Sequence, residues 1–319
     1  MARIFIFVLT VLCGSFSSPA DSFRLEGLEG QSYQPPTNVE IIWKATNDLP
    51  NGLWVYKVIP QEFPMAVVTN LMTIGGFEWR NLVKPSDPPV PDKNLICFRD
   101  KKQNWTRFLN IAPTMGWVEY YDGTGSARDP INGVPSKEEA EKLALDILFR
   151  LGVDRSLLCH EKTNYDTIQG KLSRDGQMLT TNVVSRGISF ARRIDGIESR
   201  GSCFMVDFGR YAKVEHFFFS WRNLLPSEAH LTLTPKQIID EIKDGHVLSF
   251  PWEDLTGLDN IKKLAVVKMT PYYFDKLGTE SLDYMYPYAD LEVVADLEGT
   301  NTATFYFQCP ILSTNAIKQ

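Results

Sequence analysis

Gly187-Ile-Ser-Phe-Ala-Arg-Arg-Ile194, Asp195-Gly196, Ser202-Cys-Phe-Met-Val-Asp-Phe208, Gly209 and Lys213-Val-Glu-His-Phe-Phe-Phe-Ser-Trp221 form the stretch that decides the fold. Three β-branched and aromatic runs alternate with turn signals, and Asp-Gly between such runs predicts a tight hairpin. Period-two alternation describes antiparallel strands with one face covered. The last run is apolar at both parities. That predicts packing for Phe217, Phe219 and Trp221, and for His216 beside Val214 and Phe218.

Outward from this stretch, each group of strands follows a helix signal. Ser136-Lys-Glu-Glu139 is a capping box, Ala140, Leu143, Ile147 and Leu151 recur at helical spacing, and Gly152 supplies a stop. Thr234-Pro-Lys-Gln237 starts a second helix with proline at its first position. Leu233 and Ile238 are placed as a staple, and Gly245 ends the helix. A third helix is predicted over Gln61–Ile74, before Gly75-Gly76. Further strands are expected at Asn94–Phe98, Thr106–Ile111 and Gly116–Tyr121, and at Lys263–Met269, Tyr288–Ala295 and Thr302–Pro310. In the last of these, Phe305, Phe307 and Cys309 share a face that Ile238, Ile239 and Ile242 are placed to cover. Pro-rich Lys84–Pro91, Asp129–Pro135 and Pro226 read as joints. The expected class is therefore α+β: tandem modules, each a helix on an antiparallel sheet, in three pseudo-repeats. The divisions fall at 21–128, 129–225 and 226–319.

Residues 1–20 read as a signal peptide: Arg3, the apolar run Ile4–Cys13, then Ser18-Pro19-Ala20 before Asp21. The run is shorter than the roughly 20 residues that span a bilayer. The expectation is an exported chain, periplasmic or extracellular, with no membrane span after cleavage. Cys97, Cys159, Cys203 and Cys309 remain. They permit two disulfides in three connectivities, or four packed thiols. No pair has the CxxC spacing of a zinc ribbon. Asn104-Trp105-Thr106 matches a glycosylation sequon.

With 33 basic against 39 acidic side chains, a formal net charge of −6 excludes a nucleic-acid footprint. The four histidines, His160, His216, His230 and His246, have no metal-ligand spacing. Gly123-Thr-Gly-Ser-Ala127 is neither a nucleophile elbow nor a P-loop, and it lacks the glycine and distal Glu of a calcium loop. Cys159-His160 and the carboxylate pairs Glu253/Asp254 and Glu280/Asp283 acquire catalytic meaning only from three-dimensional placement. The reading is thus a non-enzyme, with no catalytic, cofactor-binding or metal residue and no cofactor. Tyr272, Tyr273, Tyr284 and Tyr286 are the candidate ligand-facing aromatics, set against core packing for the same cluster.

Val184–Ile197, running into Gly201–Gly209 and Lys213–Arg222, resembles the PepSY-like module. The shared pattern is a strand ending in Arg-x-x-Asp-Gly-Ile, a Gly turn, a second strand, and a third closing on Trp-Arg. Thr234–Gly245 with Leu264–Phe274 and Met285–Ala295 looks like a second such module. Together they are similar to the YycH/YycI-type extracytoplasmic regulators, although those keep an N-terminal anchor. The resemblance covers residues 136–312. It implies a binding or regulatory protein that recognises a protein or peptide partner in the cell envelope or outside the cell. It carries over no binding residue. Alternatives are a carbohydrate- or cell-wall-binding protein using the tyrosine-rich last module, and a hydrolase assembled only in three dimensions.

Overall fold

The computed structural model describes residues 28–84, 88–100, 107–123, 133–172, 178–255, 258, 261–276, 280–297 and 302–316. At 160–161, 169–172, 178–181 and 314–316 it describes backbone alone. The signal segment, the sequon at 104–106, residues 124–127 of the glycine-rich stretch and the His160 side chain lie outside the described residues.

The quoted stretch folds into an antiparallel meander: β9 (Met178–Ile194), β10 (Ile197–Phe208) and β11 (Val214–Ser220). It continues into strands from the first third of the chain. Next to β11 lies β7 (Trp117–Asp122), then β6 (Arg107–Ala112), β5 (Ile96–Arg99) and β4 (Leu82–Val83). On the other side of β9 lies β8 (Leu158–Leu172). β10 also pairs with β14 (Ile261–Phe274), followed by β16 (Pro287–Leu297), β17 (Thr302–Pro310), β13 (Val247–Ser249) and β1 (Gln31–Tyr33). With β2 (Glu40–Trp43) on β14, this makes one 14-stranded sheet. A 4-stranded sheet holds β15 (Tyr284–Met285), β3 (Gly52–Ile59), β12 (Asn223–Thr232) and β18 (Leu312–Ala316).

Three α-helices occur among the described residues: α1 (Met65–Gly75), α2 (Lys137–Arg150) and α3 (Pro235–Lys243). Both capping boxes form. Ser136 N donates to Glu139 Oε2 at 2.8 Å and Glu139 N to Ser136 Oγ at 3.1 Å, while Thr234 N donates to Gln237 Oε1 at 2.9 Å. Ala140, Ala144, Ile147 and Leu148 turn inward from α2 onto Phe190, Phe204, Phe217 and Phe219. Each large side chain buried this way contributes about 1.5–3 kcal/mol. A second core gathers Ile238 and Ile242 of α3 with Val293, Phe305, Phe307 and Cys309.

The tandem helix-on-sheet architecture expected from sequence is overturned. The chain is mostly strand, and fourteen of its described strands join into one large mixed sheet beside a 4-stranded one, rather than forming three separate modules. The join is parallel: Ser199 pairs with Tyr273 and Arg200 with Phe274, and β2 also runs parallel to β14. Alternation reports that a strand has a covered face but is silent about its neighbour. A parallel neighbour also arrives only after a long crossover. The packing cuts the first third in two, because Tyr33, Val39, Leu53, Val55 and Tyr56 share the core of α3, not that of α1. Pro226, expected as a joint, sits inside β12 at a register shift, where a missing N–H breaks no ladder.

Candidate functional site

In β5–β7 and β9–β11, one parity faces α1 and α2 and the other forms an open face. Across that face runs a row of register-paired residues. Arg99 pairs with Phe108, Phe108 with Tyr121, Tyr121 with His216, and His216 with Asp207. Asp207 then pairs with Gly187, and Gly187 with Tyr165 on β8. Seven neighbouring strands at about 4.8 Å spacing make the row about 29 Å long.

The side chains touch in sequence along it. The Arg99 guanidinium lies 4.9 Å over the Phe108 ring, Phe108 and Tyr121 centroids are 5.7 Å apart, and Tyr121 meets His216 edge-on at 6.3 Å. His216 Nδ1 is 3.2 Å from Asp207 Oδ2. Tyr121 is 44% and Tyr165 36% exposed, so the row is open to solvent. Burial, then the Asp207 carboxylate beside it, pushes the Tyr165 phenol above its ordinary range. A Cβ on Gly187 would lie 2.1 Å from the Tyr165 ring and 2.4 Å from Asp207 Oδ1, so only glycine lets both lie over β9. A second row adds Glu119, Phe218, Met205 and Ser189. Where β6 turns into β7 the face is closed by Val90, packed with Ala112, Met115 and Trp117.

Sequence reasoning did not find this row. It read His216 as a packed histidine beside Val214 and Phe218; the ring is half-buried, edge-on to Tyr121 and bonded to Asp207. The one signal that marked the row was an isolated glycine, Gly187, inside a strand pattern.

The tyrosines chosen from sequence lie elsewhere. Tyr272 and Tyr273 are fully buried. The Tyr272 hydroxyl donates to Gln308 Oε1 at 3.1 Å, and Arg200 lies 3.9 Å over its ring. Tyr273 and Tyr56 both donate to Asp195, at 2.8 and 2.7 Å. Tyr286 is buried and Tyr284 partly exposed, their centroids 6.3 Å apart. The four cysteines are thiols: Cys97 and Cys309 buried, Cys159 and Cys203 half-buried. Burial pushes the Cys203 thiol up to about 11 and raises Cys97 as well, so neither is a poised nucleophile.

His230 and His246 are apart from the row: His230 Nε2 is 3.3 Å from Glu228 Oε2, and His246 Nδ1 is 2.9 Å from Glu241 Oε2. Among the described residues no group of three or more His, Cys, Asp and Glu is placed to hold a metal ion.

The Trp221-Arg222 pair closes the parallel join. Arg222 Nε donates to Asp275 Oδ1 at 2.7 Å, and its Nη2 to the carbonyls of Lys276 and Glu280 at 2.9 and 2.6 Å. Ser202 Oγ donates to Asp275 Oδ2 at 2.6 Å. Arg192, stacked 5.0 Å over Trp221, donates to the Arg222 carbonyl at 2.6 Å, and burial pulls it down to about 10. Gly201, at φ 90°, lets β10 approach: a Cβ there would lie 1.7 Å from the Asp275 carbonyl oxygen. This buried polar knot holds the two cores in register.

No known protein family matches the chain, and no curated protein does. Among solved structures it is similar to an uncharacterized protein from Eubacterium rectale ATCC 33656. The identity is 11% and the TM-score 0.46, over 88% of this chain and 90% of that one. A likeness of that size assigns neither a fold family nor an activity.

Proposed function

We propose that the chain is a non-enzymatic binding protein, acting outside the cytoplasm, that engages a protein partner through the open face of its meander. The observation that carries this reading is the solvent-facing row Arg99–Phe108–Tyr121–His216–Asp207–Tyr165, flanked by Met205 and Phe218. Protein interfaces are enriched in aromatic residues, Met and Arg and depleted of Lys, and their energy concentrates in Tyr, Trp and Arg anchors. The export expected from residues 1–20 and the role implied by the resemblance to extracytoplasmic regulators support the same reading.

Site-specific photo-crosslinking in the native cell envelope tests it. A photoreactive residue at position 121 or 165 should give a discrete adduct that Tyr121→Ala competitor protein fails to suppress and wild-type competitor abolishes. The same residue at position 149, on the outer surface of α2, should give none. Equal adducts from all three positions would sink the proposal.

A second reading, carbohydrate binding, rests on a different pair. Phe250 and Trp252 stack at 4.7 Å and 22° beyond β13, and Trp252 is 75% exposed. Retention on cell-wall polysaccharide that is lost in Trp252→Ala would favour it, and retention unchanged by that substitution would exclude this platform.

A further inference from the structure

β8 is the long margin of the 14-stranded sheet: among the described residues its 15 residues, Leu158–Leu172, pair with β9 alone. The other strands bonded on one side only, β1, β2, β4, β15 and β18, have two to five residues each. Short edges, edge prolines and outward charges are the usual means of keeping a sheet from pairing with another chain. β8 is long and carries no proline. The charges at its centre are engaged within the chain. Lys162 pairs with Glu141 of α2, and Asp166 accepts from Arg186 Nε and Nη2 at 2.7 and 3.2 Å.

The β8–β9 hairpin also outruns its sheet. β10 meets β9 from Arg186 to Ile194, so Thr167–Leu172 and Met178–Ser185 form a two-stranded ribbon with no third strand among the described residues. Two strands by themselves are at best marginal in water.

Lys162-Thr163-Asn164-Tyr165-Asp166 is complementary to itself in the antiparallel sense. With Asn164 set opposite Asn164 of a second copy, Lys162 falls opposite Asp166, and Thr163 opposite Tyr165. Lys162, Asn164 and Asp166 share the helix-covered side, because they pair with Phe190, Ile188 and Arg186. Across the join the charges then run Glu141, Lys162, Asp166, Arg186, alternating in sign, and the twofold repeats the series. Asn164 Oδ1 is buried and accepts no hydrogen bond among the described residues. The amide Nδ2 of the facing Asn164 is the donor it lacks, and symmetry makes the bond reciprocal.

We propose that two copies of this chain dimerise edge to edge through β8, about a twofold axis at Asn164. The two large sheets become one. The start of each β8 lies along the ribbon of the other copy and supplies its third strand. Both long edges are consumed, so the contact closes at two copies. The join runs through backbone, leaves the open faces uncovered and sets them side by side. It holds whatever the open face binds.

Sedimentation of the mature chain tests the proposal. At about 10 µM it should run as a dimer. Lys162→Asp sets carboxylate against carboxylate at both symmetric positions, and Asp166→Lys sets ammonium against ammonium. Each variant alone should therefore associate about tenfold or more weakly. An equal mixture of the two variants should recover the dimer, because every facing pair is then of opposite sign. Mixing would not repair a loss caused by misfolding. Asn164→Cys gives a second, independent readout. Paired Cα atoms of antiparallel strands lie about 4.5–5.5 Å apart, within disulfide reach, so mild oxidation should give a covalent dimer on a non-reducing gel. A monomeric wild-type chain, assemblies larger than two, or a dimer indifferent to both charge variants would each overturn it. So would a mixture no better associated than its components, or no cross-link at position 164.

Discussion

Gly187 and Tyr165 oppose each other on β9 and β8, and the Tyr165 ring occupies the space a Cβ on Gly187 would need, 2.1 Å away. The phenol can lie over the neighbouring strand, beside Asp207, only because position 187 carries no side chain. Strand interiors disfavour glycine, so its place here marks a close approach rather than a propensity.

Gly187→Ala should therefore cost about 1–3 kcal/mol by overpacking. Paired with Tyr165→Ala, it should cost less than alone, because the clash is gone. Urea unfolding of the two single variants and the double closes the cycle. Additive losses would show that ring and backbone are not in contact.

Tyr121→Ala tests the open face. The ring is 44% exposed, so the change should alter stability by about 0.5 kcal/mol or less. Its effect on partner binding should be about tenfold or more, the signature of an anchor residue. A variant that unfolds early in urea would instead assign Tyr121 to the fold.

The knot at the parallel join should be costly to break. Asp275→Ala strands Arg222 in the interior and should destabilise by about 3–5 kcal/mol. Arg222→Lys in the otherwise unchanged chain should destabilise too, because an ammonium cannot reach Asp275, Lys276 and Glu280 together. Loss of a single cooperative urea transition would show the two cores parting before either unfolds.

Alkaline pH should unfold the chain steeply. Burial raises the phenols of Tyr56, Tyr120, Tyr165, Tyr272 and Tyr273, so the folded state holds five protons that the unfolded state releases. Their contribution is fully present below the unfolded value of about 10 and is lost as pH rises above it toward the folded values. Arg192, pulled down to about 10, acts in the opposite sense, but it is one group. Urea midpoints should hold level to about pH 9 and fall beyond 10, together with the rise of phenolate absorbance. Phenolate appearing before unfolding in excess of what exposed tyrosines such as Tyr121 and Tyr284 supply would place these rings at the surface.

Thr234→Ala removes the oxygen that accepts from Gln237 N and should cost about 1 kcal/mol, with the urea slope unchanged. An unchanged midpoint would mean that proline at the first helical position holds α3 by itself.

Caps, helices and the strands of strongest alternation were legible because their causes are local. Ser136 and Glu139, or Thr234 and Gln237, meet within one turn, and Asp195-Gly196 is a two-residue turn between β9 and β10. β8 and β12 were not legible. β8 is largely polar and lies at a sheet margin, and β12 carries Pro226, so neither shows a clean period. The open face escaped for another reason. Arg99, Phe108, Tyr121, His216, Asp207 and Tyr165 come from six strands, and only register brings them into one row.

What the sequence determined alone was therefore whatever a residue settles with neighbours a few positions away: helix starts, hairpin turns and which face of a strand is apolar. The tertiary structure decided which strands became neighbours, and with that the large mixed sheet, the buried Arg222–Asp275 join, the burial of Tyr272 and Tyr273, and the exposed row. Hydrogen-bond ladders are made of backbone, which is the same at every position. The choice of partner strand falls to the packing of both cores at once.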